Sequence, residues 1–220
     1  MKDFIHFHSG LNKRDKILIL TRTLEKVVRG SLRGLFFHKN QGLQFIGRHV
    51  QITHSWRIHC GRNVKFEDYS EIHGLAEYGL IFGNNVTIGR ETMIRPSSYY
   101  GKDLGKGLKM GDGSSIGPHS YVGCAGQIDI GENVMIGPKC SLFAENHIFR
   151  DLTKSIKSQG VQQKGIKICD NCWIGSNVII LDGVTIGSGS VIGAGTIITH
   201  SIPENSIVLD KRNEEVRTRL

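Results

Sequence analysis

The chain has no apolar run long enough to cross a bilayer: its most apolar stretch, Ile17 to Leu20, has charged residues on either side. Residues 1–16 hold His6, His8, Lys13 and Arg14 and no apolar segment followed by a small-residue cleavage site, so no secretory signal is expected. Aromatic residues make up only 7% of the 220 residues and there are 4 prolines. Cysteines number 5, an odd count that argues for reduced thiols and a cytoplasmic location rather than a disulfide framework. Cys169 and Cys172 have C-x-x-C spacing, but no second pair exists, and their places in the pattern below point them in different directions. No metal is expected.

The chain does have a period of six. An apolar residue stands at Ile46, Ile52; Cys60, Phe66, Ile72; Phe82, Ile88, Ile94; Met110, Ile116, Val122; Ile130, Ile136, Leu142; Ile168, Ile174, Ile180; and Ile186, Ile192, Ile198. Glycine follows twelve of these twenty residues, which suits a corner where the chain turns without a Cβ. The residue two before is small or β-branched at most of them, as at Val86, Thr92, Ser114, Ser120, Cys140, Cys172 and Ser190. Hexads of this kind build a parallel β-helix, an all-β fold in which three hexads close one triangular coil. A sandwich would instead show alternation at period two and Asn-Gly or Asp-Gly hairpins between strands. About seven coils at the strand spacing give a prism roughly 34 Å long. The pattern divides the chain into a segment 1–40, a hexad body 41–203 with a loop 143–167, and a short C-terminal tail 204–220.

Charge is concentrated at the start. The net charge is +8, and residues 1–40 hold nine Lys or Arg against Asp3, Asp15 and Glu25. Ile17, Leu20, Leu24, Val27, Val28 and Leu35 recur there at helical spacing with Arg22, Lys26, Arg29 and Arg33 between them. Two roles suit a basic amphipathic helix: capping the open end of the prism and covering its first coil, or resting on an anionic membrane surface. Nucleic acid is not expected as a partner, because the body carries neither a basic face nor a reading element.

In a solenoid, extra residues must leave the packed coil as loops. The insertions add 4 residues before Phe82, 10 before Met110, 2 before Ile130 and 20 before Ile168. The 10-residue one is Gly-rich around Gly101 to Gly113, but it lacks phosphate-loop spacing and reads as exposed. The 20-residue one has His147 at its root, near Glu145 and Asp151, either of which could orient an imidazole. His49, His54 and His59 are spaced by five, out of step with the hexads, so they should not converge on a metal.

From about 130 to 203 the chain resembles the hexapeptide-repeat O-acetyltransferases, the group of galactoside, maltose, nodulation and surface-polysaccharide acetyltransferases. The residues that carry the resemblance are Ile136-Gly-Pro, Asn146-His147 with Asp151, Gln159-Gly160, the run Asp170 to Gly187 containing Trp173, Val191 to Thr196, and Ile202-Pro203. It implies a left-handed β-helix and direct transfer of an acetyl group from acetyl-CoA to a hydroxyl of a saccharide or lipid-linked saccharide. His147 would be the general base, a role suited to a group that titrates near working pH. Glu145, Asn146, Asp151 and Trp173 would form the acceptor side, and Ser176, Ala194 and Thr199 would line the CoA groove. His200 stands where relatives usually carry Lys, and Val208 to Glu214 replaces their usual Gly-x-Pro-Ala-Lys close, so Lys211 joins His200 as a candidate for the CoA phosphates. In the hexad count His147 lies past the third face and Trp173 ends the first face of the next coil. A site using both would be shared between chains, as in the trimers typical of this family. Polysaccharide assembly at the inner face of the cytoplasmic membrane is the setting implied. Alternatives are N-acetylation of an amino-sugar nucleotide or another small acceptor, and a non-catalytic scaffold. A γ-type carbonic anhydrase would need three converging histidines.

Overall fold

Backbone N–H and C=O groups must find partners, and a short strand can find them only in its neighbours. Here each two- or three-residue strand within the prism bonds in parallel to the strands one coil below and one coil above, except at the ends. The computed structural model describes residues 8–96 and 104–210. The strands of its prism form three sheets, the first running from Lys39–Asn40 to Thr185–Ile186, the second from Gln44–Ile46 to Ile207–Val208, and the third from Gln51–Thr53 to Ile197–Ile198, and one further pair of strands lies outside them. The fold is a left-handed parallel β-helix.

The register is the one the hexads predict. Cys60, Phe82, Met110, Ile130, Ile168 and Ile186 stack in the first sheet. Ile46, Phe66, Ile88, Ile116, Ile136, Ile174 and Ile192 stack in the second, and Ile52 through Ile198 in the third. All but Ile52 are buried, and Ile52 packs against the core from the first coil. The stacking runs on past Ile198: Ile202 bridges to Ile186, and Val208 pairs with Ile192. At the other end Phe37 is buried edge-on against Phe66, plugging the prism.

The small inward residues join coils as well as fitting the interior. Ser114 Oγ donates to the Gly131 carbonyl and accepts from the Val134 amide, and Ser190 does the same toward Pro203 and Ser206. In the first coil the buried Gln44 fills that place, with its amide bonded to Asn40, Gly42, Gly61 and Val64.

Two kinds of corner residue emerge where one was expected. The glycine after each apolar position does not turn the chain in the left-handed region. It lets the next coil approach: a Cβ on Gly117 would lie 2.5 Å from the Gly137 carbonyl carbon, and one on Gly175 would lie 2.6 Å from the Ala194 amide nitrogen. The turn itself falls two residues later, with positive φ at Asn133, Asn171, Asn177, Gly189 and Gly195, residue types that tolerate that conformation.

Helix α1 spans Lys13–Gly34 and opens with a capping box between Asn12 and Asp15. It covers the first coil, but not with its apolar side. Gly30 and Gly34 are its buried residues, set against Gln44 and Asn40. Arg29 Nε donates to the Ile46 carbonyl at 2.8 Å and Arg33 to the Val50 carbonyl at 2.7 Å, satisfying acceptors in the first coil that have no coil below them.

The two corner roles are separable. Replacing Gly117 with Ala should destabilise the chain by about 1–3 kcal/mol, because the added methyl meets backbone that cannot rotate away. Asn133→Gly should change stability by less than about 1 kcal/mol. Thermal unfolding that finds both equally mild would contradict the close-approach role.

Candidate functional site

The long insertion begins where Ala144, still buried, follows Leu142 inward, and it returns to the coil at Ile166. Between them Asn146–His147 pairs antiparallel with Val161–Gln162, His147 opposite Val161. The hairpin therefore leaves the prism along the edge where the third sheet gives way to the first.

Three anchors hold it. Gly160, at φ +82, bonds through its carbonyl to the Ile148 amide at 3.0 Å. The Gln159 side chain accepts from the Asp151 amide at 3.0 Å and donates to the Asp151 carbonyl at 2.9 Å and the Lys154 carbonyl at 3.2 Å. At the return, Asp182 accepts from the amides of Lys164 and Gly165 at 3.1 and 2.7 Å. Asp182 occupies a repeating position, two residues past the inward apolar one. Asp68, Asp112 and Asp170 sit at the same place and cap the coil below.

His147 is exposed and borders an open cleft of about 800 Å³, lined also by Asn146, Phe149, Arg150, Val161 and Lys164. Asp151 is committed elsewhere: it accepts from Thr153 and pairs with Lys154 at 3.0 Å, and these partners hold its carboxyl below the usual carboxylate range. Glu145 accepts from Gln163 at 3.5 Å. Among the described residues, neither carboxylate hydrogen-bonds to the His147 ring.

The remaining predicted residues lie on other parts of the prism. Trp173, 55% exposed, is on the second sheet between Met135 and Val191, rather than at the end of the first face. The strand, Trp173–Ile174, ends on the inward Ile174 instead of starting there, and so includes Trp173. Ser176 and Ala194 stack along the edge between the second and third sheets, joined by the Gly195 amide to the Ser176 carbonyl at 2.8 Å. Thr199 and His200 are exposed at the third-to-first edge, where Thr199 Oγ1 lies 3.4 Å from His200 Nδ1. Lys211 lies outside the described residues.

The discounted candidates have other neighbours. His49 stacks on Tyr69, His54 lies edge-on to Trp56, and His59 stacks on His38, where burial and the neighbouring His38 and Lys39 charges lower its pKa. Cys172 is buried, whereas Cys169 is half-exposed at its corner. Of the Gly-rich insertion, Gly101 to Asp103 lie outside the described residues. Its later part is not exposed as expected: Gly105 bridges to Ala76, and Leu108 is buried. Arg150, Lys164 and Asp182 were not anticipated. Only Asp182 had a signal, its place in the capping ladder.

Known proteins fit this geometry. The bacterial transferase hexapeptide family, of six repeats, matches residues 165–200. The chain is a hexapeptide-repeat protein with acetyltransferase relatives. A protein of Mycobacterium tuberculosis named as a probable acetyltransferase is 31% identical over 182 residues, covering 81% of this chain and 51% of that one. Galactoside O-acetyltransferase of Escherichia coli is 43% identical over 81 residues, 36% of this chain and 38% of that enzyme. The hexapeptide-repeat chain thus spans about half the length, or less, of these curated relatives. Among solved structures, AntD, an N-acyltransferase from Bacillus cereus in complex with dTDP-4-amino-4,6-dideoxyglucose and coenzyme A, matches with a TM-score of 0.53 at 18% identity. The match covers 87% of this chain and 89% of that one and shows a shared fold.

If Gln159 staples the hairpin, Gln159→Ala should increase protease cleavage between residues 151 and 160 several-fold while leaving the unfolding temperature of the prism unchanged. Cleavage at the wild-type rate would show that the hairpin is held by other contacts.

Proposed function

We propose that this chain transfers an acetyl group from acetyl-CoA to a sugar hydroxyl in the assembly of a surface polysaccharide. The observation that carries the reading is His147: an exposed imidazole, on a hairpin expelled from one edge of the prism, beside an open cleft. The galactoside O-acetyltransferase relatives support the same chemistry.

Acetyl-CoA, when bound, supplies an activated thioester carbonyl. The residues along the edge between the second and third sheets suit its pantetheine arm, since Ser176 and Ala194 are small and Gly175 brings their backbones together. His200 and Lys211 are the groups to meet its phosphates, and Thr199 lines the groove. His147 takes the proton of the acceptor hydroxyl as that oxygen bonds to the acetyl carbon; the carbon–sulfur bond breaks, and the departing thiolate takes that same proton back from His147. Arg150 and Lys164, in the same cleft, supply positive charge beside the developing oxyanion.

His147 and the Ser176–Ala194 edge belong to different edges of the prism. A neighbouring chain bringing its own Ser176 edge to this His147 completes a site, and three copies close the arrangement as a homotrimer. Asn146 and Trp173 would face the acceptor across that junction. The reduced, mostly buried cysteines suit a cytoplasmic enzyme.

Replacing His147 with Ala should lower kcat by at least about 100-fold, the contribution of a general base. Light scattering should still return a trimer, and calorimetry should still detect CoA binding. Near wild-type turnover by the variant would overturn the assignment.

A further inference from the structure

The amphipathic helix α1 is mounted with its apolar side outward. On a helix of 3.6 residues per turn, Ile17, Leu20, Leu24, Val28, Leu32 and Leu35 fall on one side. These six are 44% to 80% exposed. The opposite side is the one that meets the prism, through Gly30, Gly34 and the Arg29 and Arg33 bonds to the first coil, with Lys26 paired to Glu67. A surface helix ordinarily turns its apolar stripe to the core. This one leaves a strip about 27 Å long uncovered among the described residues, and Phe36, 70% exposed, extends it.

Charge around the strip indicates its occupant. Lys13 and Arg14 are exposed at the first turn and lie on the same side as the strip by helical spacing. The two acids of the helix are engaged: Asp15 closes the capping box, and Glu25 pairs with Arg48 and Arg29. The strip thus carries positive charge at its first turn, while the acids of the helix are neutralised. A second copy of the helix would cover the apolar residues but would bring no anions to these cations. An anionic lipid surface provides both an apolar layer and negative charge. The helix is not long and apolar enough to cross a membrane.

We propose that α1 is a membrane-surface helix that lies in the interface of an anionic bilayer, with Ile17 to Leu35 sunk toward the acyl chains and Lys13 and Arg14 at the level of the phosphates. The site is independent of the acetyl-transfer reading. It would hold the prism against the membrane by its first coil, leaving the hairpin of His147 several coils away.

Flotation of the full chain with phosphatidylcholine vesicles, with and without one quarter phosphatidylglycerol, tests it. The chain should float with the anionic vesicles, less with the neutral ones, and at least roughly tenfold more weakly in high salt. Leu24→Glu with Val28→Glu should remove binding while leaving the unfolding temperature unchanged, since both side chains point away from the prism. Lys13→Glu with Arg14→Glu should weaken it in the same fold. Failure of the wild type to bind anionic vesicles, or binding that survives Leu24→Glu with Val28→Glu, overturns the proposal. So does a fall in the mass of the vesicle-free protein on making that double change, which would assign the strip to a second copy.

Discussion

Everything in this chain depends on how closely one coil can sit on the next. Parallel ladders need the backbones of successive coils at strand spacing, and at the corners a side chain would hold them apart. Glycine at 61, 89, 111, 117, 137 and 175 removes that obstacle, and each such site leaves room only for the backbone of the coil above. With the spacing set, the inward residues must be apolar or small, and hydroxyls such as Ser114 and Ser190 can bridge from one coil to the next. Any surplus residues have to leave along an edge. The position of His147 follows from that expulsion, so a packing rule determines where the candidate chemistry sits.

Different parts of the molecule were legible to different degrees. The register could be read because a period of six has one solution, and each apolar residue from Ile46 to Ile198 found its predicted partner. The reason for the glycines was only half legible: composition marks a corner, but not whether glycine serves a turn or a close approach, and asparagine took several of the turns. Trp173 was placed one face early, because hexads were counted from the apolar residue although the strand ends on it. The neighbours of Asp151 were unreadable, since Thr153, Lys154 and Gln159 converge on it only through the fold of the hairpin.

Helix α1 shows a further limit. Periodicity reveals that a helix has an apolar stripe, but not which way the stripe faces. The deciding residues were inconspicuous. Gly30 and Gly34, one turn apart, let the helix lie directly on the Gln44 strand, and Arg29 and Arg33, also one turn apart, reach carbonyls that a further coil would otherwise have bonded. Their bonds fix the orientation of the helix and, with it, the exposure of Leu24 and Val28.

A straight prism presents its edges as long, shallow tracks, and the candidate residues lie on two of them. The hairpin with His147 occupies the third-to-first edge; the small residues Ser176 and Ala194 occupy the second-to-third. The central claim is that a second chain joins these two edges around one molecule of coenzyme A. A crystal structure of the chain with CoA tests this most directly. The account predicts a pantetheine arm along Ser176 and Ala194 of one chain, with its sulfur within hydrogen-bonding reach of His147 from a neighbour. CoA bound wholly within one chain, or with its sulfur far from every His147, would contradict it.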